Sequence, residues 1–406
     1  MRNVRDYAII TASYWVFTLT DGALRMLVLF HLHRLGYSPL EVVSLFLFYE
    51  VFGVATNFVG GWIGARHGLK TTLFAGLGLQ VVACSLLALR ATALTVPVVL
   101  VAQAISGIAK DLTKMSSKSY IKLVVPESDS SGLMKWVAIL TGSKNALKGI
   151  GFFLGASMLG ALGFRDANLA MAAALVVAAL SSFVLLPPAA GKASTKLRLS
   201  ALIAKDPRVR WLSGARLFLF GARDVWFVFA LPIFLSDGLG WSFSRSGGFL
   251  ALWVIGYGIV QASAPSFVGG RGSRRTAPTA ARVLPWTLFL IVPLLAIAAA
   301  LQLGLDPTFT LVAGLIAFGI VFAADSAMHS FLIIHYSDGD QVSLNVGFYY
   351  MANASGRLLG TLLSGAVFQW AGMGERGLTA CLVASMALVT LSTLACLPLR
   401  RAEARA

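Results

Sequence analysis

The stretch of sequence that decides the fold covers residues 110–119 and reads KDLTKMSSKS. It lies inside an apolar run that begins near Leu94, and a second stretch, SKNALK at residues 143–148, lies inside the next apolar run. Each ammonium group costs about 2.5–3.5 kcal/mol at the centre of a membrane helix. Neighbouring helices that carry several of them must provide water, counter-charges or a ligand. The pattern therefore predicts a multi-span transporter with a cationic pathway for an anionic substrate.

The composition supports a membrane protein. Of the 406 residues, 57% are hydrophobic and 12% are charged, whereas a soluble domain carries about 25% charged residues. Apolar runs of about 20 residues recur along the chain and are typical of transmembrane helices. The net charge of +16 does not indicate a nucleic-acid partner, because the basic residues lie mostly in short loops, where they set topology. The first run is too long for a signal peptide, so we expect it to be retained in the lipid bilayer.

We predict an all-α fold with twelve transmembrane spans in two six-helix halves. Spans one to six cover residues 7–33, 40–64, 71–89, 95–123, 131–162 and 167–186, and spans seven to twelve cover residues 209–235, 243–268, 283–303, 308–335, 342–371 and 378–399. Residues 189–207 form a polar linker, which makes residues 1–188 the first half and residues 208–406 the second.

The loop charges predict the orientation. The termini, the linker and the turns around Arg66 and Arg271 are basic, whereas the opposite loops carry scattered charges. By the positive-inside rule, both termini lie in the cytoplasm of a protein in the inner (plasma) membrane.

An internal repeat supports the division into halves. Three glycines in span five recur at the same spacing in span eleven: Gly151, Gly155 and Gly160, then Gly356, Gly360 and Gly365. Small residues at such spacing let helix backbones approach closely. Two six-span halves resemble the major facilitator superfamily, whose binding site lies between the halves. The turn at residues 61–70 resembles that superfamily's loop signature, except that Ala65 stands where the family usually has Asp.

Charged residues inside the predicted spans define the candidate site. At a rise of 1.5 Å per residue, Lys110, Lys144 and Lys148 reach similar depths, about 16–22 Å from their helix starts. Arg216 and Arg223 lie seven residues apart and share a face of span seven. We predict that nine side chains contact the substrate: Arg25, Lys110, Lys114, Ser117, Lys144, Lys148, Arg216, Arg223 and Arg357.

Five carboxylates inside the spans are candidates for proton coupling: Asp21, Glu50, Asp111, Asp224 and Asp325. Asp21 and Asp111 come first, because they lie beside the proposed anion site.

Structural interpretations compete with these roles. Asp21 could pair with Arg25, and Arg223 with Asp224, as local ion pairs. Lys110, Asp111 and Lys114 could form a local network, in which one carboxylate cannot neutralise two lysines. Snorkelling toward the lipid headgroups explains Lys118 as well as function does, and we expect structural roles for His329 and His335.

No cofactor, metal site or enzyme activity is expected. The cysteines, Cys84, Cys381 and Cys396, lie inside apolar runs without disulfide or zinc spacing. Metalloprotease and G-x-S-x-G motifs are missing from the sequence.

Three stretches resemble the organoarsenical efflux permeases of the ArsJ type. They read TDGALRM at residues 20–26, SGIAKDLTKMSSKS at residues 106–119 and LTGSKNALKG at residues 140–149. The resemblance extends over the full length and is densest in spans one, four and five. It implies export of 1-arseno-3-phosphoglycerate, the unstable ester that forms when glyceraldehyde-3-phosphate dehydrogenase accepts arsenate in place of phosphate. It also implies arsenate resistance and a functional partnership with that dehydrogenase.

The residues agree with the resemblance in one respect: lysine and arginine suit the phosphate and arsenate groups of the ester. Trivalent arsenic would need clustered thiolates, but Cys381 and Cys396 lie about 22 Å apart along one helix. Two other functions stay open. One is an exchanger of the same fold for organophosphates or phosphate, and the other is a non-transporting membrane sensor or enzyme. Transport assays with and without arsenate would separate the first from the exporter, and vesicles without flux would indicate the second.

Overall fold

The computed structural model describes residues 2–37, 39–91, 94–125, 129–186, 206–241, 243–268, 278–337 and 342–405, and every regular element within these ranges is helical. The helices of spans one to six are Arg2–Arg34, Pro39–His67, Leu69–Leu89, Val96–Val124, Ser130–Ala161 and Gly163–Leu185. Span seven comprises the helices Pro207–Phe227 and Ala230–Ile233 and a π-helical turn, Phe234–Gly238. Span eight comprises Phe243–Ser263 and Pro265–Val268, and span nine comprises Ala280–Phe289 and Ile291–Gln302. Spans ten to twelve are Pro307–His335, Val342–Trp370 and Gly374–Glu403. The predicted all-α fold with twelve spans is confirmed.

Local sequence explains where the helices end. Between spans two and three the turn is reduced to Gly68, whose φ of +93° suits a residue without a Cβ atom. Asp129 caps span five by accepting a hydrogen bond from the Gly132 backbone N–H at 2.7 Å, and Asp306 caps span ten by accepting one from Phe309 at 2.6 Å. Both carboxylates satisfy backbone donors that a helix start leaves unpaired.

Proline explains the breaks within spans seven, eight and nine. Pro232 and Pro293 lack the N–H that would bond to the carbonyl four residues earlier, at Val228 and Phe289, where the helices break. Pro265 disfavours helical geometry at the residue before it, where span eight breaks.

The repeated glycines carry equivalent contacts in the two halves. A Cβ atom on Gly155 would lie 2.1 Å from the Ala23 carbonyl oxygen of span one, and a Cβ atom on Gly356 would lie 2.0 Å from the Leu217 carbonyl oxygen of span seven. Span five therefore packs on span one as span eleven packs on span seven. The third glycine of each motif, Gly160 or Gly365, meets nothing within 4 Å. The predicted close approach applies to the first two glycines of each motif.

Eight of the helices are long and apolar enough to cross a membrane, judged by length and composition over the described residues. Spans one, two, five and eleven are not among these eight. All four carry charged side chains of the cluster described below.

The two halves share one apolar core at the end of the bundle where both chain termini lie. The core of the first half continues into that end of spans seven to twelve, through residues such as Val209, Phe331 and Leu399. At the opposite end, the second half has a core of its own around Trp226 and Phe318. Spans two and four contact span eleven, and span five contacts spans eight and ten. Among the described residues, the halves thus share an apolar core at the terminal end and have distinct apolar cores at the other.

Two predicted segments fall mostly outside the described residues. They are the linker, residues 189–207, of which the structure describes residues 206 and 207, and the basic turn that starts at Gly269.

Candidate functional site

Glu50 of span two lies at the centre of a group of three cations. Its carboxylate lies 2.5 Å from Arg357 Nη2, 3.8 Å from Lys110 Nζ and 3.9 Å from Arg25 Nη2. The Glu50 side chain is 4% exposed, whereas those of Lys110 and Arg357 are 14% and 19% exposed. Among the described ion pairs, Arg357–Glu50 is the one that joins the first half to the second.

Asp111 holds the two lysines that flank it on span four. Its carboxylate lies 3.6 Å from Lys110 Nζ and accepts a hydrogen bond from Lys114. Lys110 also lies over the ring of Tyr49, 3.8 Å from its centroid, a favourable cation–π contact. The expected local network of Lys110, Asp111 and Lys114 is present, and Glu50 supplies the second carboxylate that it needs.

Asp21 and Asp224 are the other two carboxylates that form ion pairs with basic residues of this site. Asp21 lies 3.7 Å from Lys148 and accepts a hydrogen bond from the Tyr49 hydroxyl at 2.7 Å. The structure therefore gives Asp21 partners on other helices. Asp224 contacts Arg223 at 2.5 Å and Arg357 Nε at 3.2 Å. Arg223 and Asp224 thus form the structural pair that the sequence allowed.

Lys118 is buried and does not snorkel. Its side chain belongs to a residue that is 4% exposed, and its ammonium group donates to Thr141 Oγ1 at 3.1 Å and to the Tyr350 hydroxyl. Because Tyr350 belongs to span eleven, this hydrogen bond also crosses between the halves. The snorkelling interpretation of Lys118 is wrong, because tertiary packing covers the end of span four.

Arg216 is bound by neutral groups. Its Nε donates to Asn353 Oδ1 at 2.9 Å, and its Nη1 donates to the hydroxyl and the carbonyl oxygen of Ser326 at 3.0 and 3.2 Å. Gln261 donates to the same Ser326 hydroxyl at 3.0 Å and accepts from Asn145 at 2.6 Å. Hydrogen bonds through Ser326, Gln261 and Asn145 therefore link Arg216 to span five of the other half.

Lys144 and Ser117 differ from the other predicted contacts. Lys144 makes no hydrogen bond or ion pair with any residue that the structure describes, and it interacts electrostatically with Lys118, Lys148, Lys114 and Arg357. Ser117 is fully buried and donates its hydroxyl proton to the Thr113 carbonyl oxygen at 3.0 Å. The Lys144 ammonium group is therefore available to a ligand. The Ser117 hydroxyl proton is already used in a hydrogen bond within its own helix.

Asp325 lies in a separate polar group of the second half. It accepts a hydrogen bond from Thr287 at 3.0 Å and lies 3.8 Å from His329 Nε2. Asp325 and His329 are fully buried, and both ring nitrogens of His329 and one oxygen of Asp325 have no hydrogen-bond partner among the described residues. The other four coupling candidates are held by lysine or arginine.

The charges in the membrane core do not balance. We call nine residues the cationic cluster: Arg25, Lys110, Lys114, Lys118, Lys144, Lys148, Arg216, Arg223 and Arg357. Four carboxylates lie among them, those of Asp21, Glu50, Asp111 and Asp224, which leaves five more basic side chains than carboxylates. Ammonium and guanidinium groups bind phosphate-like oxyanions through charge-assisted hydrogen bonds. The arrangement is suited to a small anion with several charges.

Neither thiols nor metal ligands gather at this site in the described part of the chain. Each of the three cysteines is buried and unpaired. No group of three His, Cys, Asp or Glu side chains within the described ranges could hold a metal ion.

Sequence patterns did not single out the neutral partners of the cluster. These partners are Tyr49, Thr141, Gln261, Ser326 and Tyr350, and tyrosine, hydroxyl and amide side chains are ordinary within membrane helices. Their roles depend on which helices become neighbours, and spacing along one helix carries no such information.

Comparisons with known proteins agree with this architecture. The sequence matches the Major Facilitator Superfamily over residues 10–304. The fold is similar to a bacterial homologue of the iron transporter ferroportin in its outward-facing state, with a TM-score of 0.74 and 14% identity over 98% of this chain and 99% of that one. It is also similar to the human organic anion transporter MFSD10 (TETRAN), with a TM-score of 0.76 and 17% identity over 97% and 99% of the chains. The E. coli fucose:proton symporter FucP gives a TM-score of 0.70 and 14% identity over 97% and 99%.

At these identities, the likeness to solved structures shows the fold alone. No curated protein matches the chain. Members of the matched superfamily are transporters rather than enzymes. The family match spans most of the sequence, and the chain belongs to the major facilitator superfamily.

Proposed function

We propose that this protein is a secondary active transporter that exports a small organic anion with several negative charges by alternating access. The observation that carries the proposal is the excess of five cations over carboxylates in the cationic cluster. Burying so many like charges without an anion is costly, because the low dielectric of the membrane core strengthens their repulsion. A polyanion that enters between the halves would relieve this repulsion.

The proposed orientation is compatible with export, and the direction itself is proposed from the resemblance to efflux permeases. Basic loops place the termini in the cytoplasm. The end of the bundle at which the halves share an apolar core then faces the cytoplasm, and the end at which their apolar cores are distinct faces outward. An exporter passes through a form that is closed to the cytoplasm when it releases its substrate.

The substrate that we propose is 1-arseno-3-phosphoglycerate. Support comes from the resemblance of spans one, four and five to organoarsenical efflux permeases, together with the oxyanion chemistry of the cationic cluster. Export of this ester would confer resistance to arsenate in cells that contain glyceraldehyde-3-phosphate dehydrogenase and its sugar-phosphate substrate. Resistance to arsenite would not follow, because the described thiols are buried at separate positions.

An exchanger for organophosphates or phosphate is the second candidate function. The same cations would bind a phosphate monoester as readily as an arsenate ester, since both are tetrahedral oxyanions. The two functions differ in whether transport requires arsenate.

Everted membrane vesicles test the proposal. Vesicles containing the protein are supplied with the dehydrogenase, NAD⁺, glyceraldehyde-3-phosphate and arsenate, and the arsenic that accumulates inside is measured. We expect accumulation that requires every component and that falls to background with Lys144→Ala. Lys135→Ala is the matched control, because Lys135 is exposed on the same helix outside the cationic cluster. Equal accumulation with phosphate esters and without arsenate would favour the exchanger, and no flux of either anion would contradict both.

A further inference from the structure

The cationic cluster divides into two groups according to the partners of its members. Six cations lie within 4 Å of a carboxylate: Arg25, Lys110, Lys114, Lys148, Arg223 and Arg357. Four carboxylates serve these six. The other three cations, Lys118, Lys144 and Arg216, have no carboxylate partner within that distance among the described residues. The charge that the protein does not neutralise itself is therefore concentrated in this second group.

The second group also retains unused hydrogen-bond donors. An ammonium group has three N–H donors and a guanidinium group has five. Lys118 uses two donors, on Thr141 and Tyr350. Arg216 binds through Nε and Nη1, and its Nη2 makes no hydrogen bond to a described residue. With the three donors of Lys144, one of Lys118 and two of Arg216, about six N–H groups are available for oxygen acceptors.

Contacts with spans five and eleven relate these three side chains. Lys118 donates to Thr141, and Lys144 lies three residues further on span five, on the same face of the helix. Lys118 interacts electrostatically with Arg216 as well as with Lys144.

Two adjacent tyrosines of span eleven, Tyr349 and Tyr350, lie against Arg216 and Lys118. The Lys118 ammonium lies 4.6 Å from the Tyr350 ring centroid, and the Arg216 guanidinium lies 5.2 Å from that of Tyr349. The residues that converge here come from spans four, five and seven, and span eleven provides an aromatic wall.

We propose that Lys118, Lys144 and Arg216 form an anion subsite that takes a tetrahedral dianionic group, the phosphate-type end of the substrate. The inference rests on the proposed function and adds which residues bind the charged end of the substrate. The cations around Glu50 are paired with carboxylates of the protein, whereas the three cations of this subsite have unused donors and no carboxylate within 4 Å among the described residues. A dianion matches these donors better than a halide or another monoanion, because its oxygens can accept several charge-assisted hydrogen bonds at once. Tyr350 and Thr141 hold Lys118 in position between the two halves.

Anion binding to the purified, full-length protein tests the subsite. The probe is inorganic phosphate, with arsenate as a second tetrahedral anion and chloride as the monoanion control, and binding is measured by calorimetry and by thermal stabilisation. We expect saturable binding of phosphate and arsenate and none of chloride. Lys118→Met and Lys144→Met should each weaken phosphate binding about tenfold or more, which corresponds to about 1.4 kcal/mol. Lys135→Met, on the exposed part of span five, should bind as the wild type does.

Two further variants keep the test decisive. Lys118→Arg preserves the charge and should retain more phosphate binding than Lys118→Met, and thermal unfolding without phosphate verifies that each variant is folded. Lys110→Met removes a paired cation and should cost less binding than Lys118→Met.

Two results would overturn the subsite: no phosphate binding by folded wild type, as expected if the lysines are neutral, or equal losses from Lys110→Met and Lys118→Met. Vesicle transport of the ester by a protein that fails these binding tests would refute the subsite and leave the transport function standing. Phosphate binding that depends on Lys118, in a protein without ester flux, would do the reverse.

Discussion

Asp325 differs from the other intramembrane carboxylates in the partners that hold it. Asp21, Glu50, Asp111 and Asp224 each contact lysine or arginine. Protonating Asp21, Asp111 or Asp224 would remove the carboxylate partner of Lys148, Lys114 or Arg223, and breaking a buried ion pair in this way costs about 3–5 kcal/mol. Asp325 is held by Thr287 and faces His329, and neither carries a permanent charge. Protonation of Asp325 would therefore break no lysine or arginine pair, although the charge of Arg216 acts on this carboxyl group.

We predict that Asp325→Asn makes export insensitive to an imposed pH gradient while exchange of substrate across the membrane continues. Both rates can be measured in the same proteoliposomes, with Asp237→Asn as the control, because Asp237 is an exposed carboxylate at the end of span seven. Full dependence on the gradient in the Asp325→Asn variant would rule out this role. Coupling through Asp21 or Asp111 stays a prediction, and in that case Asp21→Asn or Asp111→Asn would abolish the dependence instead.

Pairing among the charged residues could be predicted from the sequence only where both partners lie on one helix. The Lys110–Asp111–Lys114 network and the Arg223–Asp224 pair follow from local spacing. The partners of Glu50 and Asp21 lie on other helices, so the helix arrangement determines them. The depth estimate did bring Lys110, Lys144 and Lys148 toward one region, but it could not tell that Lys148 is paired and that Lys144 is not.

At the scale of the helices, the repeated glycines differ in whether they contact a neighbouring helix. Gly155→Ala and Gly356→Ala should each destabilise the protein, because the new methyl group would lie about 2 Å from a carbonyl oxygen of the neighbouring helix. Gly160→Ala and Gly365→Ala are matched controls with open space, and alanine there should be neutral or stabilise by about 0.5–1 kcal/mol. Thermal unfolding in detergent measures all four variants. Similar melting temperatures for the two classes would contradict the packing of span five on span one and of span eleven on span seven.

Span boundaries could be predicted because hydrophobic length and helix-ending residues act locally. Gly68, Asp129 and the prolines set ends or breaks regardless of tertiary contacts. The spacing of the glycines predicted close packing, but which of the three make contact depends on how the neighbouring helix crosses them.

For the whole molecule, the orientation in the membrane decides which end of the bundle faces the cytoplasm. We predict that a membrane-impermeant maleimide added to intact cells labels Leu305→Cys, between spans nine and ten, and not Ala404→Cys, near the C-terminus, in a background without the native cysteines. Both positions are exposed in the structure, so access across the membrane decides the outcome. Labelling of both in permeabilised cells is the control. The reverse pattern in intact cells would contradict the proposed topology.

The apolar contact between the halves has a thermal consequence. To open the site to the cytoplasm, the protein must separate its two halves at the terminal end. This movement exposes to water residues such as Met328, Phe331 and Val346, which are buried in the present conformation. Each Å² of apolar surface that becomes hydrated adds about 0.45 cal/K/mol to the heat capacity. A van 't Hoff plot of the equilibrium constant between the outward-open and inward-open forms should therefore be curved and not straight. A cell that warms or cools changes how long its transporter spends open to each side, with no change in charge or ligand.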